Sequence, residues 1–292
     1  MFRNTMKTAV LLAALGGLAV GVGSLFGRGG AMIGLALGLL MVGGSYWFSD
    51  KLALRAARAR VVTESEAPEF VSMVYSLADR AGLPRPTVAI SPEAQPNAFA
   101  TGRSPRKAVV CATEGLLRAM PRDEVEAVMA HEMMHVRHRD ILIGSVAAAV
   151  ATGISYIAQI AMFTSMFGGS SDDEDRPNPI VVLLLAMLAP IAASLIQMAV
   201  SRSREFEADR GAAELLGSGE TLARALERIE TLAAQRPMTS VAPAQASAWI
   251  HNPLAEARAS RSGGPNMARL FSTHPDTAER IRRLRALNPA VR

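Results

Sequence analysis

The stretch VMAHEMMHVRHRDILIGSVAAAV, residues 128–150, changes character halfway along. Its first half places His131 and His135 four positions apart, on one face of a helix. Its second half is uncharged from Ile141 onward, and the next charge is Asp172. A histidine helix that leads straight into so long an apolar run sets a candidate metal site at the edge of a membrane. The pattern predicts one helix that opens near Pro121 and Asp123 and continues into that run.

The same signal recurs along the chain. No charge falls between Lys7 and Arg28, Arg28 and Asp50, Asp140 and Asp172, or Arg176 and Arg202. A helix of about 20 apolar residues crosses a hydrocarbon core of roughly 30 Å. Four spans are therefore expected, near 8–27, 30–49, 142–167 and 179–200, the last kinked at Pro190. Composition agrees: half of the 292 residues are hydrophobic, only 5% are aromatic, and mean hydropathy is positive. A cleaved signal peptide is the competing reading of the first span. No small-x-small site ends it and a second span follows at once, which favours a retained hairpin.

Basic residues set the orientation. Arg3, Lys7, Lys51, Arg55, Arg58 and Arg60 flank the first pair of spans, and Arg137, Arg139, Arg202 and Arg204 flank the second. The opposite loops hold only Arg28 and Arg176. Both termini and the two larger polar segments are expected on the cytoplasmic side. The acidic loop GGSSDDEDRPNP, 168–179, is then an outward solvated loop. The net charge of +5 is explained by basic residues beside a lipid bilayer. No aromatic-interleaved basic patch suggests a nucleic-acid partner. Cys111 is the only cysteine, so no intrachain disulfide forms, and its apolar surroundings make it a buried strand residue.

The polar segments read as a small mixed domain. Residues 66–83 form an amphipathic helix stopped by Gly82 and Pro84. PTVAIS, NAFATG and KAVVCAT are short β-rich runs between turn residues, hence a small sheet. A short helix, TEGLLRAM, precedes the histidine helix. Residues 202–235 are mostly helix, 236–270 form a long loop or lid, and a basic helix, DTAERIRRLRAL, closes the chain.

Two imidazoles at this spacing hold one zinc, and Glu132 beside the first of them is placed to take a proton from a water at the metal. A third ligand is expected in SRSREFEADRG, where Glu205 and Asp209 are again four apart. Glu205 is read as that ligand, and Asp209 as the acceptor for a ligating histidine's far nitrogen. Glu207 points elsewhere. His138 lies about 10 Å along the helix from His131, too far to share its ion. The two apolar runs between the motifs act as a hairpin that brings Glu205 to the histidines.

HEMMH, the hairpin and SRSREFEADRGAAEL, with PNAFATG before and STHPDTAERIRRLRAL after, resemble the HtpX family of bacterial membrane zinc metalloproteases, related to the CAAX prenyl proteases. The likeness covers essentially the whole chain. It departs at His138, where Asn is expected. The resemblance implies one zinc per chain on His131, His135 and Glu205, with Glu132 as general base. It implies Asn97 on an edge strand as a holder of substrate backbone, and His274 or Arg280 as a group that stabilises the oxyanion or positions substrate. It further implies endopeptidase action on misfolded or membrane proteins in envelope quality control and stress response, in the bacterial inner membrane, beside other quality-control proteases.

The expected fold is a mainly α integral membrane protein. Four transmembrane helices carry a cytoplasmic zincin-like (gluzincin) α+β metalloprotease domain with a small β-sheet. Its parts are a hairpin at 1–50, protease segments at 51–140 and 202–292, and a second hairpin at 141–201. An intramembrane site-2-type protease competes, but PRDEVEA and RHRD place charges on both sides of the motif. A non-catalytic metal scaffold or transporter also competes, but it has no use for Glu132 and finds no buried charge in the third and fourth spans.

Overall fold

The computed structural model describes residues 27–140, 204–235, 249–250 and 275–287. The expected spans 142–167 and 179–200, all of 8–27 but its last residue, and His274 lie outside them. The chain divides into two compact units, Met1–Phe48 with Ser145–Gln197, and Ser49–Gly144 with Met198–Arg292.

The span expected at 30–49 falls on helix α1, Gly27–Ala56, of 30 residues. Met32, Leu40, Trp47 and Phe48 are exposed on it. Only some α1 side chains are described. On the described residues alone, no helix is long and apolar enough to cross a membrane.

In the second unit four strands form one sheet: β1 Arg60–Val61, β2 Thr87–Ser91, β3 Ala98–Thr101 and β4 Val109–Thr113. The spatial order is β1-β2-β4-β3. The central pair is parallel, with Val88 opposite Val110, and β3 runs antiparallel along β4 at the edge, with Ala98 opposite Ala112. Alternation sorts the side chains. Val88, Ile90, Ala98, Ala100, Val110 and Ala112 face the main core. Ala89, Phe99, Val109 and Cys111 face a smaller one, closed by Ala53, Leu54, Ala57 and Trp249. The two-residue β1 has no periodicity of its own, so only pairing reveals it.

Helix α2, Pro68–Arg80, buries Phe70, Val71, Val74, Leu77 and Ala78, a stripe at helical spacing. At about 1.5–3 kcal/mol for each large apolar side chain, this stripe anchors the helix. A short α3, Glu114–Ala119, follows β4 and is capped by Thr113 Oγ1 accepting the Leu116 N–H at 3.1 Å. Helix α4, Arg122–His138, runs through the main core, packed against α2 and β3. Its near-complete burial is why its apolar residues occupy more than one face. Helix α5 covers residues 204–216, α6 runs Glu220–Gln235 and packs on α4, and α7 runs Thr277–Ala286 and packs on α6.

One expectation is corrected here. The histidine helix does not continue unbroken into the apolar run. It ends at His138, and Arg139 takes left-handed torsions with φ 60°. Its N–H turns back to the Val136 carbonyl at 3.2 Å. A non-glycine residue in this region costs about 1–2 kcal/mol, and nothing in the residue types around Arg139 announces the break.

Candidate metal centre

Each element delivers its side chain by local geometry. α4 presents His131 and His135 on one face, and their rings meet edge to face with centroids 4.7 Å apart. α5 presents Glu205 and Asp209 in the same way. It comes close to α4 because Gly211 has no side chain: a Cβ there would meet Met134 Sδ at 2.7 Å.

His131, His135 and Glu205 form a cluster able to hold a metal ion. The two imidazole Nε2 atoms are 3.1 Å apart. Glu205 Oε2 is 3.5 Å from His131 Nε2, and Glu205 Oε1 is 3.4 Å from His135 Nε2. The three groups form a triangle, each imidazole facing a different oxygen of Glu205, with one ligand atom from each residue within 4.8 Å of the others, close enough to share one ion at zinc's bond lengths of about 2.0–2.2 Å.

The far nitrogens set the tautomers. His131 Nδ1 is 3.0 Å from Asp209 Oδ1. His135 Nδ1 is 3.3 Å from Asp140 Oδ2. With both Nδ1 atoms donating to carboxylates, both Nε2 lone pairs aim into the triangle. Two acceptors and a carboxylate facing one another at these distances call for a cation between them.

Charge says the same. Glu132, Asp140, Glu205 and Asp209 are all buried. The cations among them are Arg280, which is also buried, and Arg204, whose Nη1 donates to the Asp140 carbonyl at 3.1 Å. Among the described residues these four carboxyl groups outnumber the two guanidinium groups, an excess that a bound dication would offset while the imidazoles stay neutral. Without a metal, the same carboxylates favour the protonated imidazoles. Burial opposes a charged His135, yet hydrogen bonds to Asp140 and Glu205 prevail and push its pKa up to about 10. His131 is likewise raised against its burial, by Asp209 and Glu205. Burial pushes Asp209 up, but the Arg280 charge and the His131 hydrogen bond hold it below the ordinary carboxylate range.

Arg280 reaches this cluster from α7. Its Nε and Nη2 donate to the two Asp209 oxygens at 2.9 and 2.7 Å, and its Nη1 is 3.4 Å from Glu205 Oε2. Asn97 sits just before edge strand β3, buried, and its Oδ1 accepts the Ala98 N–H at 3.1 Å. Two residues of the long loop meet that edge: Ile250 N–H donates to the Ala98 carbonyl at 2.9 Å, and Trp249 stacks edge-on to Phe99. Glu207 is exposed, and His138 Nδ1 lies 4.0 Å from Asp140, outside the triangle. Cys111 is buried in β4 and burial pushes its thiol pKa up, so it is no nucleophile.

Sequence reasoning missed Asp140. Five positions past His135, it would leave that histidine's face on a continuous helix. The left-handed turn at Arg139 brings it back, and the only signal was an acid immediately after the helix.

A small mixed sheet over a helix carrying His-Glu-x-x-His, with a carboxylate brought from a distant helix, defines a zinc metallopeptidase. Comparison with known proteins gives the particular family. The profile of Peptidase family M48 matches residues 64–288. A Protease HtpX homolog from Syntrophotalea carbinolica is 50% identical over 283 residues, 96% of this chain and 98% of that protein. Protease HtpX homologs from Ralstonia nicotianae and Thermococcus kodakarensis are 50% and 48% identical over 285 and 284 residues. These alignments take in 96% and 97% of this chain and 96% and 95% of those proteins. The crystal structure of S. mikatae Ste24p shares the fold, with a TM-score of 0.51 at 22% identity, covering 97% of this chain and 65% of that one. The chain belongs to peptidase family M48 and is a zinc-dependent metallopeptidase of HtpX type.

Proposed function

We propose that the chain is a membrane-anchored endopeptidase whose zinc is held by His131, His135 and Glu205. The observation that carries this reading is the convergence of three groups: the two Nε2 atoms, 3.1 Å apart, face the Glu205 carboxylate, whose Oε2 and Oε1 lie 3.5 and 3.4 Å from His131 and His135, each imidazole backed by its own carboxylate. Bound there, zinc supplies a Lewis acid for a peptide carbonyl and its attacking water. Glu132 follows the first ligand on the same buried helix turn and serves as general base. It takes the proton of the attacking water and delivers it to the leaving amine. Asp209 and Asp140 keep the two imidazoles in the metal-binding tautomer. An extended substrate adds along the edge of β3 beyond Ala98, whose carbonyl Ile250 already engages, with Asn97 and His274 as further contacts.

The substrates are proposed to be misfolded or membrane proteins, cut at the cytoplasmic face of the bacterial inner membrane in envelope quality control. The charge-free windows, the Lys and Arg distribution and the exposed apolar side chains of α1 support that placement.

Purified wild type and Glu132→Gln in detergent test the mechanism, with zinc content and cleavage of an unfolded protein both measured. Glu132→Gln is expected to keep zinc and lose about 10²–10⁴-fold in kcat. Wild-type turnover in a zinc-loaded variant would overturn the base assignment. For the topology, a cysteine replacing exposed Glu64 should be labelled from the cytoplasmic side of oriented vesicles. Labelling from the other side alone would reverse the orientation.

A further inference from the structure

The C-terminal helix contributes a side chain to the centre of the molecule. Arg280 of α7 is 2% exposed, lies 149 positions beyond His131, and forms a two-pronged pair with Asp209. Asp209 in turn holds His131 Nδ1 at 3.0 Å. Arg280 Nη2 lies 3.4 Å from both ring nitrogens of His131. Arg280 thus lies against both Glu205 and His131, and its shortest bonds reach His131 through Asp209.

Helix α7 is firmly seated. Asp276 caps its start by accepting the Ala278 N–H at 3.0 Å. Ile281 and Leu284 are buried in the main core. Arg283 lies over the Phe206 ring of α5 at 3.9 Å, and Arg285 pairs with Glu220 and Glu227 of α6. At Gly219 a Cβ would meet the Leu284 carbonyl oxygen at 2.4 Å, so the chain before α6 passes directly against α7. A helix held on both sides this closely delivers Arg280 with little freedom.

We propose that Arg280 is a positioning residue of the metal centre. Its planar fork sets the Asp209 carboxylate, and Asp209 sets the orientation and tautomer of His131. The proposal rests on the metal-site reading above. It differs from a role against substrate or oxyanion, because Nε and Nη2 are turned to Asp209 and Nη1 to Glu205.

Two simpler roles predict different outcomes. A guanidinium beside a metal repels it, so if Arg280 acted by charge alone its removal would tighten zinc binding. A lysine would then replace it well. A positioning fork predicts the reverse for both, since lysine keeps the charge but cannot hold two oxygens in one plane. A substrate-contacting role predicts unchanged zinc affinity with altered KM.

The experiment measures the zinc dissociation constant by chelator competition on full-length protein in detergent, with kcat and KM alongside. Wild type, Arg280→Met, Arg280→Lys and His135→Ala are compared. Arg280→Met and Arg280→Lys are expected to weaken zinc binding about 10–100-fold while KM stays within about 2-fold. Zinc affinity that is unchanged or tighter in Arg280→Met, or wild-type in Arg280→Lys, overturns the proposal. Loss of zinc by His135→Ala reports the metal site independently, so a failed positioning role is distinguishable from a failed site. Should Arg280→Met not fold, Asp209→Asn with Arg280→Met removes both buried charges. Zinc affinity as weak as in Asp209→Asn supports positioning, and wild-type affinity overturns it.

Discussion

His131 and His135 occupy equivalent positions on one helix, yet their surroundings are built in different ways. His131 is completely enclosed and backed by Asp209, which Arg280 holds in place. Those partners come from α5 and α7, far along the chain. His135 is partly exposed and backed by Asp140, five positions away, which a single left-handed residue turns toward it. One half of the site is held by tertiary packing and the other by a local backbone turn. The first couples metal binding to the integrity of the whole fold. The second couples it to one turn at the end of α4.

Replacing the backing carboxylates should separate the halves most. Asp209→Ala leaves the buried Arg280 guanidinium without its two-pronged partner, with only the longer Glu205 contact, and is expected to cost about 3–5 kcal/mol of stability. Asp140→Ala removes a hydrogen-bond acceptor near the helix end and is expected to cost about 1–3 kcal/mol. Denaturant titrations of metal-free protein check both, and equal costs would break the comparison.

Metal affinity should respond to the local half without loss of the fold. Asp140→Ala is expected to weaken zinc binding about 10–100-fold, read by chelator competition, while the circular dichroism spectrum stays that of wild type.

Protons provide a third contrast. The His135 pKa is raised to about 10 in the metal-free site, so at pH 8 this imidazole holds a proton that zinc must expel. Zinc addition at pH 8 should release at least one proton, measured calorimetrically in buffers of different ionisation enthalpy. Asp140→Ala should reduce that release, because it removes the leading favourable partner of the imidazolium. The raised pKa also stabilises the metal-free fold. This contribution is full below the unfolded histidine's ordinary value near 6.5 and is lost as pH rises through about 10. Thermal melts of chelated protein between pH 6 and 10 should show the decline.

The smallest effect belongs to the turn itself. Glycine takes left-handed torsions without strain, so Arg139→Gly should leave zinc affinity unchanged and raise stability by up to about 1 kcal/mol. Weaker zinc binding in that variant would mean that the Arg139 side chain, rather than its backbone, serves the site.

Helical spacing made His131, His135, Glu205 and Asp209 legible, because four residues along a helix always return to one face. β-rich composition between turn residues made the runs around Val88, Phe99 and Val110 legible as strands. The unbroken continuation of α4 was the wrong extrapolation of that logic, since periodicity does not report a reversed torsion at Arg139. Nor does it show that β3 lies outside β4 at the edge, which depends on β4 pairing with the earlier β2 on its other side.

By itself, then, the sequence determined which side chains share a helix face, which runs are β-rich between turns, and hence the pair of imidazoles and the pair of carboxylates. These follow from backbone geometry over a few residues. Only the tertiary structure decided that Asp140 backs His135, that Arg280 enters the centre to hold Asp209, and that the edge of β3 meets Trp249 and Ile250. Those outcomes depend on which buried charges find partners once distant helices pack. Burial and partnership are properties of the folded whole that no local spacing encodes.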